Sequence, residues 1–325
     1  MPGFARLLVM GLAALLGLTA AASAQGYPNR PIRLIISFPP GGSTDVVARS
    51  MQQSLEKRLG QPLIFENRGG AGGNLGVDAV AKSAPDGYTI GFAAAGALAV
   101  NVSLVEKMPF DIGKDIIPIT LVGTSPFILV ASTKFEPSSL KDVIAVAKSK
   151  PGELSIGHGG NGTAMHLTAA LFNLLGGVST TLVPYRGTGP VTADVVAGHI
   201  PLGIVDAPSA ISQIKGGLVK PIAVSSLKRT PSLPDLATFD ELGLKGYESI
   251  GWYGMIAPAG TPPEVIARLN QALVETMQEP EVAARIRSVG AEPSPMTPEQ
   301  FRSFIQAETT KWAQVIKSAG IKTAN

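Results

Sequence analysis

Four glycine-rich stretches carry the residue types best suited to gripping an anion: Pro39-Pro40-Gly41-Gly42-Ser43-Thr44-Asp45, Asn67-Arg68-Gly69-Gly70-Ala71-Gly72-Gly73-Asn74, Gly157-His158-Gly159-Gly160-Asn161-Gly162-Thr163 and Tyr185-Arg186-Gly187-Thr188-Gly189-Pro190. Each follows a short apolar run and precedes a segment with helical spacing, so each opens a helix. The first N–H groups of a helix lack intrahelical partners and sit at the positive end of its dipole, and glycine lets a ligand approach that backbone. Three or four N–H to carboxylate bonds, at about 1.5–3 kcal/mol each, match the roughly 8 kcal/mol of a micromolar complex before ordering costs. A basic side chain is not required, although Arg186 stands where one would help.

Most of these side chains admit two readings. Pro40, Gly41 and Gly42 form either a ligand-gripping loop or only a tight turn. Ser43, Thr44 and Asp45 open the first helix, where Thr44 and Asp45 either face a ligand or cap their own helix. Asp45 fits an anion site poorly and is better suited to bonding backbone N–H groups or a bridging water. Asn161, Gly162 and Thr163 open a second helix and Arg186, Gly187 and Thr188 a third, with Arg68 and Arg186 equally suited to ion pairs. His166 falls one turn inside the helix opened by Thr163 and either reaches the cleft or is a structural histidine. Asp206, ahead of Ala207-Pro208-Ser209, either takes a donor group of the ligand or starts a helix.

Catalytic and cofactor chemistry find no matching pattern. None of the histidines, His158, His166 and His199, has metal-binding spacing. The absence of cysteine removes a thiolate nucleophile, a thiolate ligand, a disulfide framework and a lipid-modified cysteine. There is no Gly-x-Ser-x-Gly elbow. Gly157, Gly159 and Gly162 match a dinucleotide fingerprint in spacing, but the next strand ends in Tyr185-Arg186, where an acidic residue is needed. No enzyme activity, cofactor or metal is therefore expected, and an exported hydrolase or isomerase on the same fold is the lesser alternative.

The elements that must position these turns repeat as strand, turn and helix, the pattern of an α/β fold with a parallel sheet. The first strand is expected over 32–38, and Val47, Met51, Leu55 and Leu59 then give one buried helical face before Gly60 and Pro62. Further strands are expected at 63–66, 88–92, 154–156, 181–185 and 202–205. The run 119–132, broken at Ser125-Pro126, and the run 252–257 read as crossings between two domains. The C-terminal part reads as helices, one capped by Thr261 and stopped by Pro280, another opened by the capping box Thr297-Pro298-Glu299-Gln300.

Arg6, the apolar run 7–22 and Ala22-Ser23-Ala24 form a secretory signal, shorter than the roughly 20 residues of a membrane span. The 325-residue chain then has a mature part long enough for two domains. Loss of Arg6 leaves 26 basic against 24 acidic side chains, a balance without the clustered charge of a nucleic-acid surface. The expected division is a signal over 1–24, domain I over 25–124 and 248–325, and domain II over 125–247.

At these turns the sequence resembles the Bug family, extracytoplasmic receptors of tripartite tricarboxylate transporters. The resemblance runs from Tyr27-Pro28-Asn29-Arg30-Pro31-Ile32 through Phe38-Pro39-Pro40-Gly41-Gly42 with Asp45, Glu66-Asn67-Arg68-Gly69-Gly70-Ala71-Gly72-Gly73, Pro85-Asp86-Gly87-Tyr88-Thr89 and Tyr185-Arg186-Gly187 to 252–262. It implies a periplasmic-binding-protein-like, type II Venus flytrap of two α/β domains with the ligand cleft between them. The family's carboxylate loop falls on 39–45, opposed by Asn161, Gly162, Thr163, Arg186, Gly187 and Thr188, with Gly96, Ala97 and Ser125 on the wall. Arg68 and Gly69 depart from relatives that carry proline in this turn. The implied protein is a free periplasmic monomer. It hands a small organic acid, mono- or dicarboxylate or aromatic, to membrane subunits of such a transporter or to a membrane sensor.

Overall fold

The computed structural model describes residues 26–318 and 320–321. The signal segment 1–24 lies outside the described residues, and no described helix is long and apolar enough to cross a membrane.

The strand-turn-helix repeats assemble as two α/β lobes that share one long strand. In the first lobe β1 (Ile32–Ile36) pairs in parallel with β2 (Leu63–Asn67) and β3 (Thr89–Ala94). In the second, β5 (Ser155–His158) pairs in parallel with β6 (Thr181–Pro184) and β7 (Leu202–Asp206). Between them lies β4 (Ile116–Ser132), antiparallel to β9 (Ile250–Pro258) along its first part and to β7 and β8 (Val219–Val224) along its last. The strand order is β2-β1-β3-β9-β4-β7-β5-β6, with β8 and the short β10 (Glu292–Pro293) also on β4.

Two expectations needed tertiary partners to correct. The break foreseen at Ser125-Pro126 does not occur, and β4 runs through it. Proline is tolerated because the strand changes neighbours here: Pro126 is the last residue paired with β9, and the next N–H, of Phe127, goes to Ser225 Oγ at 2.8 Å. The sheet is also mixed rather than wholly parallel, since the crossing strands β4 and β9 run antiparallel to their neighbours.

Helix α1 (Ser43–Leu59) buries Val47, Met51, Leu55 and Leu59 and ends at Gly60, whose φ of 70° suits a left-handed C-cap. Each such burial stabilises by about 1.5–3 kcal/mol. After it come α2 (Asn74–Ala81), a π turn at Gly96–Val100 leading into α3 (Asn101–Leu104), and α4 (Leu140–Ser149). The second lobe adds α5 (Ala164–Gly176), α6 (Thr188–Ala197) and α7 (Ala207–Lys215). The C-terminal part is helical: α8 (Pro263–Gln278), α9 (Pro280–Ser288) and α10 (Pro298–Ser318). Pro280 starts α9 as well as following α8, and Pro262 rather than Thr261 takes the cap position of α8, the Thr261 hydroxyl donating instead to Pro258 O at 2.8 Å. The capping box forms as expected, with Thr297 N–H on Gln300 Oε1 at 3.0 Å and Gln300 N–H on Thr297 Oγ1 at 3.2 Å.

Candidate functional site

A cavity of about 30 Å³ lies where the carboxyl ends of β1, β3, β6 and β7 meet across the lobes. That volume holds a water or two. Three helix beginnings border it: Gly42, Ser43 and Thr44 of α1, Thr163 and Ala164 of α5, and Gly187, Thr188 and Gly189 of α6. Their first N–H groups cannot be satisfied within their own helices, so the cavity receives the positive ends of three dipoles at once.

The loop before α1 is held from behind. The Asp45 carboxylate accepts from Gly41 N–H at 3.0 Å, Arg49 Nε at 3.0 Å and Asn67 Nδ2 at 3.1 Å, and therefore points back into the loop. Burial works against its charge, but the bonds from Arg49, Gly41 and Asn67 outweigh it and hold its carboxyl below the usual range. Gly41 has φ 77°, a conformation that favours glycine. Gly69 leaves room for Pro39: a Cβ there would come within 2.6 Å of the proline ring.

Across the cavity, Thr163 caps α5, accepting from His166 N–H at 3.2 Å and donating to Gly160 O at 2.7 Å. Gly187 N–H donates to Gly159 O at 3.0 Å, which ties the α5 and α6 loops together. Arg186 is exposed at the mouth, and among the described residues it makes no ion pair or hydrogen bond. It is a cation left free to meet an anion.

Of the residues singled out in the sequence, Pro40, Gly42, Ser43, Thr44, Gly96, Thr163, Arg186, Gly187, Thr188 and Asp206 border the cavity. The others take supporting places. Gly41 and Asp45 brace the loop, and Ala97 is in the core. Ser125 is buried and donates to Gly290 O at 3.1 Å. Asn161 and Gly162 meet the first lobe beside the cavity: a Cβ on Gly72 would lie 2.9 Å from Asn161 O, and one on Gly96 2.9 Å from Gly162 O. His166 stacks on His158, ring centroids 4.8 Å apart, with its Nδ1 buried.

The structure adds an apolar wall that sequence reading missed, made of Phe38, Phe127, Met165, Trp252 and Tyr253. Trp252 is fixed by its Nε1 bond to Glu308 at 2.9 Å and by edge contacts with Phe301 and Phe304 of α10. In sequence these residues sit among ordinary apolar runs of strands and a helix, so nothing marked them as lining.

The sequence profile of the tripartite tricarboxylate transporter family receptors matches residues 47–321. The chain belongs to that family. As a member of this receptor family it is similar to protein BugT of Bordetella pertussis, 39% identical over 307 residues and covering 94% of both chains. It also superposes on periplasmic binding protein BugD with a TM-score of 0.88 at 36% identity, over 91% of this chain and 99% of that one. An R. palustris protein solved with adipate matches with a TM-score of 0.89 at 33% identity, over 91% of this chain and 99% of that one. The chain thus has the fold of a periplasmic solute-binding receptor.

Proposed function

We propose that this receptor captures a small organic carboxylate in the periplasm and presents it to the membrane subunits of a tripartite tricarboxylate transporter. The observation that carries the reading is the convergence of the α1, α5 and α6 beginnings on one cavity, with the unpaired Arg186 at its mouth. An anion there gains several backbone N–H bonds and a nearby cation, while Phe38, Phe127, Met165 and Trp252 shed water from its carbon body. Adipate in the R. palustris relative supports the ligand class.

In this reading the contacts of Pro40, Gly42, Ser43, Thr44, Gly96, Thr163, Arg186, Gly187 and Thr188 bind the ligand, and Gly41, Asp45, Asn161 and Gly162 shape their loops. The lobes over 25–124 with 248–325 and over 125–247 hinge at β4 and the entry to β9, and ligand contacts from both sides select the closed form. The protein acts as a monomer without catalysis, released after cleavage of the 1–24 signal. Membership in a receptor family supports the non-enzymatic role.

Native mass spectrometry of freshly purified protein, followed by a melting-temperature screen of carboxylic acids, tests the proposal. A co-purified acid, or one that raises the melting temperature in proportion to its concentration, is the expected result. A broad acid panel without response and no bound acid would overturn it, as would turnover of the bound compound.

A further inference from the structure

Asp206 closes β7 and borders the cavity, and it is 1% exposed. No ion pair among the described residues reaches it. Instead it is ringed by hydroxyls from both lobes. Oδ1 accepts from Ser209 at 2.6 Å and Thr188 at 3.3 Å, Oδ2 accepts from Tyr253 at 3.3 Å, and the Ser43 hydroxyl also bonds the carboxyl. Of these three bonds, only that from Ser209 has the roughly 2.5–2.7 Å length of a charge-assisted O–H to carboxylate bond.

A buried carboxylate with no cation and long secondary bonds is incompletely compensated, and such groups concentrate at functional sites. The four hydroxyls can rotate between donating and accepting, so the ring can re-form around a guest. We propose that Asp206 is a specificity-determining residue that accepts a hydrogen bond from a hydroxyl or ammonium group on the ligand. This rests on the carboxylate-receptor reading above. Ser43 and Thr188 belong to the same helix beginnings that meet the ligand's carboxylate. The donor therefore sits within a few bonds of that carboxylate, and the ligand class is a hydroxy or amino acid. A second carboxylate at that place would face Asp206 charge to charge. Burial pushes the Asp206 carboxyl upward against the bonds from Ser209, Ser43 and Tyr253, in keeping with a carboxylate short of partners.

The test is calorimetry with matched acids that differ by one 2-hydroxyl: lactate with propionate, malate with succinate, and mandelate with phenylacetate. Any acid found by native mass spectrometry is compared with its deoxy parent in the same way. In the wild type the hydroxy acid of the pair that fits binds at least 30-fold more tightly than its parent, and in Asp206→Asn that ratio falls below threefold. A wild-type ratio near one, or a ratio unchanged in Asp206→Asn, overturns the proposal. So does an equal loss for both members of a pair, which would make Asp206 only a contact between lobes. Should Asp206→Asn not fold, Tyr253→Phe removes one protein donor from Oδ2 and is expected to raise the ratio, and a fall overturns the proposal. Silence of every pair, with no co-purified acid, fails the receptor reading itself.

Discussion

Asn67, at the end of β2, donates through Nδ2 to the Asp45 carboxylate at 3.1 Å, and the same group reaches Phe38 O at 2.9 Å. One amide thus ties the neighbouring strand to both ends of the 38–45 loop. Asp45 faces this brace rather than the cavity, which resolves how an acidic residue can sit beside the proposed anion site. Asp45→Ala strands three donors, Gly41 N–H, Arg49 and Asn67. An unfolding loss of roughly 2–3 kcal/mol is expected in urea titration. Ligand affinity should fall more than tenfold because the loop loses its shape. Arg49→Ala, at a half-exposed position, should cost under about 1 kcal/mol. Equal losses in the two variants would show that Asp45 is not the centre of the brace.

Arg186 makes the opposite kind of prediction. It is exposed and unpartnered among the described residues, so Arg186→Ala should leave stability within about 0.5 kcal/mol of the wild type. A lost charge-assisted bond of about 1.5–3 kcal/mol corresponds to roughly a 10- to 150-fold weaker complex. Calorimetry and thermal melting on the same samples separate the two quantities, and unchanged affinity would remove Arg186 from the site.

The pH dependence has a defined sign. His158 is fully buried, accepts Gly160 N–H on Nδ1 at 3.3 Å and has no protein partner for Nε2. Burial, then the neighbouring His166, lowers its pKa from 6.5 to about 3. Between those values the unfolded chain holds a proton that the folded chain rejects, so the His158 contribution to stability is lost as pH falls below 6.5. Asp206 acts in reverse: its raised carboxyl pKa favours the folded protein at acid pH, and that benefit fades as pH rises from 3.8 through its folded value. Comparison with a variant isolates the histidine. The stability gap between wild type and His158→Asn should shrink by roughly 2 kcal/mol from pH 7 to pH 5, measured by denaturant titration. A constant gap would mean that His158 titrates normally.

The glycine turns and helix starts were legible because local chemistry sets them: Gly60, Gly41 and the Thr297 box each need only neighbours in sequence. The unbroken β4 was not, because the partners that carry the chain past Pro126 lie far off in sequence, at Ile250 and Ser225. The direction of Asp45 depends on Asn67, and the burial of Ser125 on Gly290. Phe127 and Met165 carried no mark of a lining role in the sequence, since a cavity wall and a core have the same hydrophobic pattern.

The glycines that meet across the lobes give the last prediction. Gly72 does not border the cavity, yet a Cβ on it would lie 2.9 Å from Asn161 O and 3.3 Å from Gly162 C on the opposite lobe. Gly72→Ala should therefore act as a wedge: the lobes stop short of full closure, and contacts from α5 and α6 no longer reach a ligand seated on α1. Gly72 also has φ 65°, where any side chain adds about 1 kcal/mol of backbone strain. Gly60→Ala supplies the control, since Gly60 has φ 70° and nothing within 4 Å of the added Cβ. Gly72→Ala should lose somewhat more stability, because its Cβ also meets Asn101 Nδ2 at 3.0 Å, and only Gly72→Ala should weaken ligand binding, by tenfold or more. In small-angle scattering with saturating ligand, Gly72→Ala should also stay more extended than the wild type. Equal affinities for the two variants would show that closure does not bring the 72 and 161–162 backbones together, and would remove this contact from the binding mechanism.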